Sequence, residues 1–125
     1  MPSTIMVVDD EEAMRHLLRI VLSRAGYRVI EAIDGRDALE KLVLAQPDLM
    51  IIDVLMPFLN GFEVVQQIRA HPHTAQLPVM LLSSRADAAA QREGLFVGAQ
   101  RYLIKPLTLQ QLLTCIQEVL DDSQD

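Results

Sequence analysis

Short apolar runs alternate with amphipathic stretches along the whole chain, and this alternation sets the architecture before any single residue is considered. Thr4-Ile5-Met6-Val7-Val8 is continuously apolar after its first residue, and so is Leu49-Met50-Ile51-Ile52. Runs of this kind mark strands buried on both faces, as in a parallel sheet between helical layers. Between them, Met14, Leu17, Leu18, Val21, Leu22 and Ala25 recur at i, i+3 and i+4, predicting an amphipathic helix over Ala13–Ala25 that Gly26 stops. Arg28–Ile33 reads as the second strand, with Val29, Ile30 and Ile33 as its apolar members. Asp34 is a candidate N-cap for a second helix striped by Ala38, Leu39, Leu42 and Val43 and ended near Pro47.

Beyond the central run, Pro57 ends the extended segment, and Asn60-Gly61 supplies a turn able to visit positive φ. Phe62, Val65 and Ile68 predict a third helix that stops at His71-Pro72, because a residue before proline avoids the helical region. Leu77–Leu82 is the fourth strand, with Pro78 tolerable near its start, and it ends in Ser83-Ser84. Asp87–Val97 is helical by propensity, but its stripe of Ala88, Ala89, Ala90, Leu95 and Phe96 is thin and holds Gly94, a cost of about 1 kcal/mol relative to alanine. It is therefore expected to be the most easily moved helix. Gly98-Ala99 closes it, Arg101–Ile104 is the last strand, and Thr108 with Gln111 forms a capping box. Leu109, Leu112, Leu113, Ile116, Val119 and Leu120 stripe the final helix, and Asp121–Asp125 reads as an acidic tail or the start of a linker. Strand and helix alternate five times without repeats, which predicts an α/β fold: a three-layer sandwich, a five-stranded parallel sheet with five helices on its two faces.

Composition narrows the function classes. The chain has 125 residues, half of them apolar, enough for one domain over 1–125 with a real core. A single cysteine, Cys115, excludes an internal disulfide and gives no sign of an oxidising compartment. No apolar run approaches the roughly eighteen residues of a membrane span, and no leader pattern opens the sequence, so the expectation is a cytoplasmic protein without a membrane association. A formal charge of −6 argues against direct nucleic-acid binding, which depends on clustered Lys and Arg.

Candidate chemistry lies where the strands end. Asp9-Asp10 closes the first strand and Asp53 the third, and in open parallel sheets ligands bind beyond the carboxyl ends of the strands. If those strands are neighbours, three carboxylates meet, and their repulsion is tolerable only with a cation among them. An all-oxygen set suits a hard ion such as magnesium. Lys105, after the fifth strand, is the cation to face an anion, and Ser83 offers a hydroxyl from the fourth.

Val7-Val8-Asp9-Asp10-Glu11, Asp34-Gly35 with Ala38-Leu39, Pro47-Asp48-Leu49 running to Asp53, Met56-Pro57 with Asn60-Gly61, Pro78-Val79 running to Ser83, Gly98-Ala99 before Tyr102-Leu103, and Lys105-Pro106 stand in this order. With these spacings, the chain resembles the CheY-like receiver domain of two-component response regulators over essentially all its length. The resemblance implies a flavodoxin-like sheet in strand order 2-1-3-4-5 and a signalling switch, rather than an enzyme acting on a separate substrate. It implies that Asp53 is the phosphoacceptor, and that Asp10 ligates Mg2+ directly (Mn2+ may substitute) with Asp9 in support. The backbone carbonyl of Leu55 is implied as a further ligand. Ser83 is implied to bond the phosphoryl group, Lys105 to neutralise it, and Tyr102 to change rotamer on activation. The Lys105-Pro106 bond is expected to be cis. Implied partners are a sensor histidine kinase or histidine phosphotransfer protein, and an output partner or fused effector domain on the surface of the fourth helix, fifth strand and fifth helix. The chain would be a monomer or a phosphorylation-dependent homodimer. Ser84, Arg101 and Leu107 depart from the common pattern, and these positions bear on the output surface.

Other readings fit less well. An aspartate-nucleophile phosphatase or dehalogenase needs a second acid two residues after the nucleophile, where this chain has Leu55. A flavin carrier needs a phosphate-cradling first loop, and Asp9-Asp10-Glu11-Glu12 would repel one. A partner-binding receiver without phosphorylation would not need the full set of side chains. His16 falls on a polar helix face, His71 and His73 lack a third ligand, and Cys115 has no evident cationic neighbour.

Overall fold

The computed structural model describes residues 2–123. Ten elements alternate: β1 Thr4–Val8, α1 Glu12–Arg24, β2 Arg28–Ala32, α2 Gly35–Leu44, β3 Leu49–Asp53, α3 Gly61–Ala70, β4 Val79–Ser83, α4 Ala88–Phe96, β5 Arg101–Ile104 and α5 Leu109–Ser123. The strands form one parallel sheet in the order β2-β1-β3-β4-β5. Every strand therefore points its carboxyl end at the same rim.

The apolar runs are explained by the two cores they serve. Successive side chains of a strand face opposite sides of the sheet. Met6, Val8, Met50, Ile52, Val79 and Leu81 pack with Ala38 of α2, with Phe62, Val64, Val65 and Ile68 of α3, and with Ala90 of α4. Ile5, Val7, Leu49, Ile51, Met80 and Leu82 face the other way, onto Leu18 and Leu22 of α1 and Leu112, Ile116, Val119 and Leu120 of α5. Full burial of each such Leu or Ile contributes roughly 1.5–3 kcal/mol, and β3 at the sheet's centre is buried along its whole length.

Local signals set most boundaries. Asp34 caps α2 by accepting the Asp37 N–H at 2.8 Å, and Thr108 and Gln111 exchange hydrogen bonds at the start of α5. α3 stops at His71, which is extended ahead of Pro72. The Lys105-Pro106 bond is cis. Several expectations fail in informative ways. Ile33 lies past the end of β2 and is 54% exposed, its N–H taken by Asp37 Oδ2. β4 begins at Val79, not Leu77, because Pro78 has no N–H to pair and only its carbonyl joins the sheet, accepting from Met50. Leu17, Val43, Leu95, Phe96 and Leu109 are exposed although each continues a stripe, since the apolar arc of these helices is wider than the sheet they cover. Asn60 is not a positive-φ turn residue: it is the extended N-cap of α3, in a capping box with Glu63. The left-handed residue of that loop is Phe58, with φ 69° and almost full exposure. Asp121–Ser123 continue α5, and 124–125 of the acidic tail lie outside the described residues.

One long-range clasp ties helix to loop. Arg69, near the end of α3, donates to the Gly98 carbonyl through Nε and Nη2 at 3.1 and 2.8 Å, to Gln100 Oε1 at 3.2 Å and to the Thr74 carbonyl at 3.3 Å. Gly98 has φ +112°, and a Cβ there would sit 2.9 Å from Arg69 Nε, so only glycine allows both the turn and the clasp.

Candidate functional site: an acid cluster at the carboxyl rim

β1 and β3 are adjacent and in register through Val8 and Ile52, so the residues that follow, Asp9 and Asp53, emerge side by side. Asp9 extends β1 by one hydrogen bond, its N–H reaching the Ala32 carbonyl, and its Oδ1 accepts the Glu11 N–H at 2.9 Å. These bonds hold it inside, at 2% exposure, while Asp10 is turned out to solvent. Asp53 is the buried last residue of β3, and its Oδ1 accepts the Leu55 N–H at 3.3 Å. Carboxylate oxygens of Asp9, Asp10 and Asp53 all lie within 4.8 Å of one another. The three acids expected to converge do so.

Lys105 comes from the far side. The Lys105 N–H bonds the Ser83 carbonyl at 2.8 Å, and its Nζ stands 3.7 Å from Asp53 Oδ2 and 3.8 Å from Asp9 Oδ2. These are ion pairs rather than hydrogen bonds, and one cation is divided between two acids. The charge is not balanced. Burial first, and the Asp9 charge next, push the Asp53 carboxyl up to about 6, against the pull of Lys105. Burial also raises Asp9, offset by the Glu11 N–H and Lys105. Asp53 is thus an acid held short of full ease of ionisation, and added positive charge at this rim would relieve it. Three carboxylates within this span, all-oxygen in donor set and only partly neutralised, fit a hard divalent cation.

Ser83, fully buried at the end of β4, accepts the Arg85 N–H on its Oγ at 3.1 Å. Tyr102 Oη donates to the Arg85 carbonyl at 2.8 Å, so the loop from Ser83 to Asp87 is fastened to β5 at its midpoint. Arg85 and Asp87 pair at 3.1 Å, and Asp87 caps α4 through the Ala90 N–H. Leu55 is half exposed, next to Asp53 in the loop. His16, His71 and His73 are not among the cluster's ligands, and Cys115 packs against the α1–α5 core.

Two glycines whose packing role the sequence does not reveal, and one arginine it does not single out, shape this rim. Gly61 admits the start of α3 against the strand: a Cβ there would lie 2.8 Å from the Asp53 carbonyl oxygen and from Val54 Cα, both backbone. Its N–H bonds the Val54 carbonyl at 2.9 Å. Gly94 in α4 leaves room for the Tyr102 ring, whose Cδ2 would be 2.8 Å from an added Cβ. Arg15 reaches from α1 to the Asp9 carbonyl at 2.8 Å. The only signal for Arg15 in the sequence is a cation in the first turns of a helix that follows an acid pair. Away from the cluster, furrows of about 740 and 860 Å³ run between α2 and α3 and include none of its acids. Among the described residues, no helix is long and apolar enough to cross a membrane.

Known proteins share this fold. The response regulator receiver domain family matches residues 5–117. The response regulator MprA of Mycolicibacterium vanbaalenii is 42% identical over 120 residues, covering 96% of this chain and 51% of that protein. The alkaline phosphatase synthesis transcriptional regulatory protein PhoP of Bacillus subtilis is 36% identical over 124 residues, covering 99% and 51%. The chain thus spans about half the length of these curated relatives. Chemotaxis protein CheY4 of Vibrio cholerae superposes with a TM-score of 0.91 at 35% identity, over 95% of this chain and 99% of that one. With its 2-1-3-4-5 parallel sheet, its rim of three aspartates and these relatives, the chain belongs to the receiver domain family of two-component response regulators.

Proposed function

We propose that residues 1–125 form one receiver domain that takes a phosphoryl group from a phosphohistidine donor onto Asp53, and that catalyses both this transfer and its own later dephosphorylation. The observation that carries the proposal is the meeting of Asp9, Asp10 and Asp53 within 4.8 Å, with Lys105 Nζ 3.7 Å from Asp53. Asp9, Asp10, Asp53 and the backbone carbonyl of Leu55 would hold Mg2+, or Mn2+ in its place, whose charge lets a dianionic donor approach the acids. An Asp53 carboxylate oxygen attacks phosphorus in line, the phosphorus–nitrogen bond breaks, and its electron pair leaves with the donor imidazole. Lys105 neutralises the charge spread over the phosphoryl oxygens. The acyl phosphate carries about −1.5 to −2 of charge where the carboxylate carried −1, and it places three strong acceptors beside buried Ser83. Ser83 Oγ then turns from the Arg85 N–H toward the new group, drawing the loop after β4 inward.

Tyr102 carries that change outward, because its hydroxyl holds the Arg85 carbonyl of the same loop. The α4-β5-α5 surface is the proposed contact for an output partner or effector domain, and a phosphorylated homodimer could use it too. MprA is named a response regulator and PhoP a transcriptional regulatory protein, which supports transcriptional output through a separate domain. A cytoplasmic location suits a sensor histidine kinase or histidine phosphotransfer protein as donor.

Incubation with acetyl phosphate and Mg2+ should add one phosphoryl group by intact mass. Asp53→Ala should add none. An unchanged wild-type mass would leave only a partner-binding role.

A further inference from the structure

Arg15 is a largely covered cation that the chemistry at Asp53 does not use directly. It lies one turn into α1, with a side chain only 12% exposed. Its Nη1 donates to the Asp9 carbonyl at 2.8 Å, and its Nε stands 3.4 Å from Glu31 Oε1, near enough for an ion pair but off the hydrogen-bonding line. Glu31 on β2 is held in turn: its Oε2 lies 3.2 Å from Arg19 Nε, and its carbonyl accepts from Lys41 Nζ. Lys41 also pairs with Asp37 at 3.1 Å. A chain of charges therefore runs from α2 across β2 and ends on one peptide of the acid loop.

That peptide is the one joining Asp9 to Asp10. Its plane decides where the Asp10 side chain leaves the backbone, and Asp10 is exposed, with no hydrogen bond of its own to a side-chain oxygen among those of the described residues. Asp9 is fixed by burial and the Glu11 N–H, whereas Asp10 is aimed only through the backbone. We propose that Arg15, anchored by Glu31, is a positioning residue that holds the Asp9–Asp10 peptide so that Asp10 completes the divalent-cation site. This rests on the reading of the acid cluster as a cation site. One guanidinium nitrogen donates to the Asp9 carbonyl while another faces Glu31 as an ion pair, and the single nitrogen of a lysine ammonium on a flexible stem does not span both at these separations. Outer partners of this kind typically change metal affinity about 10- to 100-fold when removed.

The test is calorimetric titration of Mg2+ into the full chain as wild type, Arg15→Gln, Arg15→Lys and Arg19→Gln, with hydrogen exchange of the Glu11 amide in metal-free protein. Arg15→Gln should weaken Mg2+ about 10-fold or more and speed Glu11 exchange. Arg15→Lys, which keeps the charge, should stay weak. Arg19→Gln, which removes the same charge from the same network without touching the loop, should bind like wild type. Wild-type affinity in Arg15→Gln, full recovery in Arg15→Lys, or equal losses in Arg15→Gln and Arg19→Gln would each overturn the proposal. Should Arg15→Gln not fold, Arg15→Lys against Arg19→Gln makes the same comparison. A wild type that binds no Mg2+ refutes the cation site itself. One that binds Mg2+ yet takes no phosphoryl group refutes the proposed transfer and leaves the role of Arg15 standing.

Discussion

In the proposed transfer Asp53 faces two opposed demands, burial enough to be shielded from water and charge enough to attack. Its carboxyl, ordinarily at 3.8, is pushed up to about 6 by burial and by Asp9. The sign for stability follows from proton binding. Between these values the folded chain holds a proton that the unfolded chain has released, so this contribution is complete below about pH 4 and lost as pH rises through about 6, roughly 3 kcal/mol in all. Metal-free wild type should therefore melt at a lower temperature at about pH 7.5 than at about pH 5, and Asp53→Asn should remove most of that slope and raise the melting temperature at the higher pH. A wild-type melting temperature that does not fall over this range, in a chelated buffer, would contradict the burial argument. Phe58 shows strain of another kind in the same loop. An aromatic residue at φ 69° costs about 1–2 kcal/mol relative to its usual region, and its near-complete exposure returns no burial for it.

Between elements, glycine is legible as a turn signal and illegible as a packing signal. Asn60-Gly61 reads as a turn from its composition, yet Gly61 is the first residue of α3, where backbone atoms of Asp53 and Val54 occupy the space a Cβ would need. Gly94 reads as a weakness in α4, and it is where the Tyr102 ring rests. Both roles are set by packing against residues outside the helix, Asp53 and Val54 for Gly61 and Tyr102 for Gly94, which helical periodicity does not register. Two effects compete in Gly94→Ala: about 1 kcal/mol gained in helix propensity, and a collision with Tyr102 and with Leu81, whose Cδ1 would be 3.1 Å away. In wild type the collision should prevail and stability fall. In a Tyr102→Ala background the main obstacle is gone, and the same substitution should become neutral or stabilising. Denaturant unfolding of the four proteins in this double-mutant cycle measures the coupling, and additive effects would mean that ring and helix are independent.

For the molecule as a whole, the strand-then-acid pattern at Asp9 and Asp53, the continuous apolar runs and the helix caps at Asp34 and Thr108 are readable because each is written in adjacent residues. Strand order was not. It came from family resemblance, since five alternating strands are compatible with more than one right-handed winding. The convergence of Asp9, Asp10 and Asp53 became readable only once β1 and β3 were known to be neighbours. The exposed Leu17, Val43 and Phe96 mark the converse failure, a local pattern that outruns the surface available to bury it.

The Arg69 clasp has a mechanical consequence for α4. Gly98, two residues past the helix, is pinned by two hydrogen bonds from Arg69, and Gln100 is shared between Arg69 and the Val79 N–H. The opposite end of α4 rests on Asp87 and Arg85, next to Ser83. Any rearrangement of the helix is therefore a swing from a fixed post, with little travel at the post and most at the end nearest Ser83 and the acid cluster. Arg69→Met should loosen the post, seen as faster hydrogen exchange at Gly98 and Ala99 with little change at Ala90. Uniform acceleration along α4 would show that it moves as a free body, with leverage lost at both ends.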